Sequence, residues 1–116
     1  MAFYDYRGMP VHSKIINSTI GRRLRQARER AGLPQDRLGV LAGLEESSSS
    51  ARISRYEGGV HEPPMKFAEA LAKVLGVPVA FFYCSDDRLA EIILAYSDAS
   101  EVKRQALLDS TRSLSV

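Results

Sequence analysis

The chain has 116 residues, 45% of them hydrophobic and 26% charged, the balance of one folded domain with or without an appendage rather than a disordered chain. No apolar run approaches the ~18 residues of a membrane helix; the single cysteine, Cys84, excludes an internal disulfide and a multi-cysteine metal site, and His12 and His61 do not supply a zinc site. The formal net charge of +2 is uneven: residues 1–66 carry eleven Lys/Arg against seven Asp/Glu and residues 67–116 five against seven, so a polyanion would meet the N-terminal half.

Residues 1–18 have neither helical nor strand periodicity and read as an N-terminal arm. Their polar and aromatic start, Met1 to Arg7, lacks the order of a secretory leader, so a reducing cytoplasmic setting is the default expectation. Thr19 is placed to cap the helix that follows. Ile20, Leu24, Ala27 and Ala31 then mark one helix face, with Arg22 and Arg23 as surface charges and Gly32 as the stop. Pro34 suits the first turn of a second helix, whose stripe is Leu38, Leu41 and Ala42 and whose end is Gly43. After the tract Ser47 to Ser50, Ile53 and Tyr56 give a third short helix with little to bury, closed by Gly58-Gly59.

Pro63-Pro64 open a fourth segment with Phe67, Leu71, Val74 and Leu75 inward and Gly76 as its end. Pro78 begins a fifth piece through Phe81, Phe82 and Tyr83, aromatics of the core or of a subunit interface. Asp86-Asp87 suit the positive end of a sixth helix. Its stripe, Leu89, Ile92, Ile93 and Tyr96, fits either the preceding domain or a second subunit. A seventh helix starts near Ser100, with Val102, Ala106 and Leu107 or Leu108 apolar, and is expected to fray after Asp109. Nothing alternates with period two, so the fold class is all-α.

The second and third helices form a suggestive pair. A helix that buries so little keeps a free face, and Ser49, Ser50, Arg52, Ser54 and Arg55 populate it. Serine and arginine hydrogen-bond to phosphates and base edges, arginine fitting guanine O6/N7 with two parallel bonds. Four ordered blocks then match a known pattern: Ile20-Gly21-Arg22-Arg23-Leu24-Arg25-Gln26-Ala27-Arg28, Gly32-Leu33-Pro34-Gln35-Asp36-Arg37-Leu38, Ile53-Ser54-Arg55-Tyr56-Glu57-Gly58-Gly59 and Leu71-Ala72-Lys73-Val74-Leu75-Gly76-Val77. Over residues 18–83 the chain resembles the lambda-repressor-like (XRE, Cro/cI-type) helix-turn-helix domain.

The resemblance implies a five-helix DNA-binding domain over residues 19–84, followed by a C-terminal helical extension over 85–116 for dimerisation or packing. It implies that Gln35 holds a phosphate or supports a base contact, that the third helix enters the major groove, and that Ser50, Ala51 and Arg55 face bases. Ser48, Arg52 and Ser54 join this DNA-binding set; Ser49 would meet the backbone, and Gly58 and Gly59 would offer main-chain N–H groups to phosphate. Arg28 and Glu57 match a pair that ties the first helix to the end of the third. Between Leu44 and Ile53 the chain has about four residues more than the family spacing, close to one helical turn. Glu45 to Ser48 either prolong the recognition helix or form a longer loop.

No nucleophile elbow, phosphate loop or histidine-rich metal motif is present, so neither an enzyme nor a cofactor, metal or small-molecule ligand is expected. The expected function is a homodimeric regulator of double-stranded DNA with a palindromic operator, in a bacterial or phage cytoplasm. The alternative is a helix-turn-helix module for protein partners, antitoxin-like or anti-repressor.

Overall fold

The computed structural model describes residues 18–114; all of the expected arm except Ser18 lies outside the described residues. The periodicities become seven α-helices and, among the described residues, no strand: α1 (Thr19–Ala31), α2 (Gln35–Leu41), α3 (Glu46–Glu57), α4 (Met65–Leu75), α5 (Val79–Tyr83), α6 (Asp87–Asp98) and α7 (Glu101–Leu114). The class is all-α.

Ser18, not Thr19, caps α1: its hydroxyl accepts the Gly21 N–H at 2.9 Å, meeting one of the donors that a first turn leaves free. Ile20, Leu24 and Ala27 are buried as their spacing predicts, whereas Ala31 is exposed. Leu24 meets Leu38 of α2, Ile53 of α3, Leu71 of α4 and Phe82 of α5 in one core. Burying each of these large side chains contributes about 1.5–3 kcal/mol. Phe81 and Phe82 are core; Tyr83 stays half-exposed.

Asp86 caps α6 by accepting the N–H groups of Arg88 and Leu89. This helix rests on the core through Ala90, Ile93 and Leu94. Of the expected stripe only Ile93 faces inward, since Leu89, Ile92 and Tyr96 lie in solvent. α7 does not fray after Asp109 but continues to Leu114, and none of its side chains is buried. It is tied to α6 by Arg104, whose guanidinium donates to the carbonyls of Tyr96 (3.0 Å) and Ser97 (2.7 Å).

Candidate nucleic-acid interface

The site is built from α2, a tight turn and α3. Gly43 in the turn has φ of 108°, a conformation that side chains disfavour. Its N–H donates to the Val40 carbonyl, and the Leu44 N–H returns to the Gly39 carbonyl. α3 starts at Glu46, so the additional residues prolong the helix and do not form a loop. Their anchor is Ser49: its hydroxyl donates to the Asp36 carbonyl of α2 at 2.6 Å, in a contact that only a glycine at 39 permits. A Cβ on Gly39 would lie 1.9 Å from the Ser49 oxygen. The extra turn therefore has its own packing against α2.

This corrects the placement of Ser49. It is 0% exposed and sits on the core face with Ile53 and Tyr56, where it cannot meet a DNA backbone. Spacings of four and three to Ile53 and Tyr56 were the signal for it. Glycines 58 and 59 are corrected as well. The Gly58 N–H donates to the Ser54 carbonyl at 2.9 Å and the Gly59 N–H to that of Tyr56 at 3.2 Å, so both donors are used in closing α3.

The structure brings the remaining expected contacts onto one surface. Ser47, Ser48, Ser50, Ala51, Arg52, Ser54 and Arg55 are all exposed. At about 100° per residue, Ser47, Ala51 and Ser54 point directly away from the core face, Arg55 and Ser48 flank them on one side and Ser50 on the other. This free face has short side chains along its middle and one long cation, Arg55, near its C-terminal end.

Gln35 stands at the first position of α2, and its amide donates to the Glu57 carboxylate at 3.2 Å. The same carboxylate takes a two-pronged contact from Arg28, Nε to Oε2 at 2.6 Å and Nη2 to Oε1 at 3.0 Å, while Arg28 Nη1 donates to the Leu33 carbonyl at 2.9 Å. The side chains are 14% and 6% exposed, so the pair is shielded from water. The Glu57 hydrogen bonds hold the Arg28 guanidinium above the ordinary arginine range, against a partial opposing cost of desolvation. The network fixes Gln35, and with it the start of α2, against the end of α3.

Arg23 is not the surface charge expected of it. It is 2% exposed. Nε donates to the Cys84 carbonyl at 2.8 Å, Nη1 lies 2.8 Å from Asp87 and from the Gln26 side-chain oxygen, and the guanidinium lies over the Phe81 ring. Its place between Ile20 and Ala27, three residues on from one and four back from the other, put it on the buried face.

Among the described residues no group of His, Cys, Asp or Glu is arranged to hold a metal ion, and no helix is long and apolar enough to cross a membrane.

The chain belongs to the helix-turn-helix domain family, whose model matches residues 19–80; this is a DNA-binding class of domain. Among solved structures it is similar to the crystal structure of the transcriptional regulator BswR, at 44% identity and a TM-score of 0.78, over 80% of this chain and 92% of that one. No curated protein matches the chain.

Proposed function

We propose that this protein is a transcription regulator that binds a palindromic DNA operator as a symmetric homodimer, with α3 in the major groove. The observation that carries the reading is the free face of α3, small-residued and ended by Arg55, presented by a helix whose opposite face is fixed to α1 and α2. Short side chains let the helix approach the base edges closely, and Arg55 supplies the two-pronged donor for a guanine. Arg52 and Gln35 flank that face and serve the phosphate backbone. In this reading residues 19–84 form the DNA-reading unit, and residues 85–116 join two copies.

One recognition helix reads only a few base pairs, so two half-sites about 34 Å apart supply the remaining affinity and specificity. The surface for the second copy is the outer face of α6 and α7. Leu89, Ile92 and Tyr96, spaced three and four apart, form an exposed apolar stripe beside the one on the core. Such a contiguous exposed apolar stripe is the kind of surface a partner covers. α7 buries nothing in this chain, and a helix of its length is marginal alone in water.

The experiment is selection of bound duplexes from a random pool, with the mass of the complex read by light scattering. A symmetric enriched sequence and a mass of two chains per duplex support the proposal. A pool without enrichment and salt-independent retention of duplex overturn it and favour a module for protein partners.

A further inference from the structure

Four arginines of α1 bind outside their own helix, and they do so in two directions. Arg28 holds Glu57 at the last residue of α3. Arg23 and Arg30 hold α6 instead: Arg23 pairs with Asp87, its first residue, and Arg30 with Asp98, its last. Arg22 adds a longer contact to Asp87 at 4.0 Å. Because the N-terminal partner meets the N-terminal partner and the C-terminal the C-terminal, α6 runs alongside α1 in the same sense and is pinned at both ends.

The space between the two helices is a cleft rather than a packed seam. Arg23, Gln26, Arg30, Asp87 and Glu91 line its rim over an apolar floor that includes Phe81. Ala90 is the only fully buried residue of α6. α6 is seated on the core through Ala90, Ile93 and Leu94, and the directed ion pairs to α1 add a constraint at each of its ends. Against α3, by contrast, α1 is packed tightly: a Cβ on Gly21 would lie 2.6 Å from the backbone carbonyl oxygens of Tyr56 and Glu57.

We infer that the Arg23–Asp87 and Arg30–Asp98 pairs form a clasp that sets the separation of the two half-sites the dimer accepts. The inference rests on the dimer reading above. α1 is a rod with the reading helix fixed to one side and the dimerisation arm clasped to the other. Asp87 and Asp98 are positioning residues: they touch no DNA, and they fix the angle between the two reading helices of a dimer. One base pair more between half-sites turns the second by about 34° and shifts it by about 3.4 Å. A clasped arm resists that displacement, and a released arm absorbs it.

The test measures binding of the full chain to palindromes whose half-sites are separated by the selected spacing and by one base pair more or less, with a single half-site duplex as reference. The wild type prefers its selected spacing by about tenfold or more. Asp87→Asn with Asp98→Ala keeps the dimer mass and the half-site affinity but narrows the spacing ratio to about twofold. The exposed pair gives a second reading that does not touch the buried one. Arg30→Asp narrows the ratio, and adding Asp98→Arg restores it, which loss of fold cannot imitate. A dimeric wild type whose variants all keep the full ratio overturns the clasp alone. A wild type that is monomeric on DNA overturns the dimer reading and the clasp with it.

Discussion

Arg28→Ala removes two of the three side-chain donors that face the Glu57 carboxylate and leaves only the longer Gln35 contact at 3.2 Å. Glu57 is 6% exposed, so water does not replace the lost bonds. Stranding one member of a buried pair costs about 3–5 kcal/mol. That is a large share of the ~5–15 kcal/mol that holds a domain together. At about 4–8 °C per kcal/mol for a domain of this size, the melting temperature falls by at least about 12 °C. Arg23 is no control for this, because it is itself buried on Asp87. The suitable control is Arg25→Ala, whose pair with Glu29 lies on the solvent side of one helix and contributes about 0.3–0.5 kcal/mol.

The assay is urea and thermal unfolding followed by circular dichroism on wild type, Arg28→Ala, Arg28→Lys and Arg25→Ala. Lysine keeps the charge but loses the fork, so Arg28→Lys falls between wild type and alanine. The pH dependence has a definite sign. A cation whose pKa is raised by folding contributes fully below its unfolded pKa, and that contribution fades only as pH rises through the folded value. For Arg28 the unfolded value is already that of an ordinary arginine and folding raises it further, so the difference between wild type and Arg28→Ala stays level from about pH 7 to about pH 10. Equal small losses from Arg28→Ala and Arg25→Ala would refute the reasoning.

Arg55→Ala lowers discrimination at one operator position by about 1–3 kcal/mol while sparing non-specific binding, checked by titrating single-base variants of the selected duplex at two salt concentrations. A uniform loss with a salt slope reduced by about one would make Arg55 a phosphate contact instead. Gly39→Ala drives a methyl group into Ser49 and destabilises by about 1–3 kcal/mol or more; in a double-mutant cycle Ser49→Ala recovers part of that loss, and strict additivity would show that the two positions do not touch. Ile92 is 60% exposed, so Ile92→Glu leaves the fold of the single chain intact by circular dichroism but halves the mass seen by sedimentation and removes the concentration dependence of the melting temperature. An unchanged mass would move the dimer surface off α6.

Local signals were enough for the helices and for most of the core, because Ile20, Leu24 and Ala27, or Leu71 and Leu75, repeat at helical spacing with a glycine closing each helix. What escaped were polar side chains on apolar faces. Ser49 and Arg23 each occupy a core position by spacing, yet their residue types argue for solvent, and only tertiary partners absent from the local sequence, the Asp36 carbonyl and Asp87, reverse that. The glycine N–H groups at 58 and 59 failed for the opposite reason. Gly-Gly reads as free backbone, and whether those donors are spent on the helix end is decided by the turn it adopts. The outer stripe of α6 was visible as apolar residues, but its separation from the inner one depends on where α5 delivers the helix.

In the proposed complex the start of α3 also brings two acidic charges near the DNA backbone, outside the free face itself. Glu45 precedes the helix and Glu46 occupies its first turn, both exposed. An acidic group in a first turn favours the helix by about 0.3–1 kcal/mol. The same charge near a phosphate is repelled: at about 8 Å in bulk water each glutamate costs about 0.5 kcal/mol. The two effects oppose one another, so stability and binding should move in opposite directions. Glu45→Gln with Glu46→Gln therefore lowers the unfolding free energy by less than about 1 kcal/mol, while affinity for every duplex rises roughly fivefold at low salt. The gain shrinks as added salt shortens the reach of the charges. Fluorescence anisotropy with the selected and a scrambled duplex at two salt concentrations reads both. If affinity instead fell, and fell only for the selected duplex, a glutamate would be accepting from a cytosine amino group, and the added turn would belong to the base-reading surface rather than to its electrostatic brake.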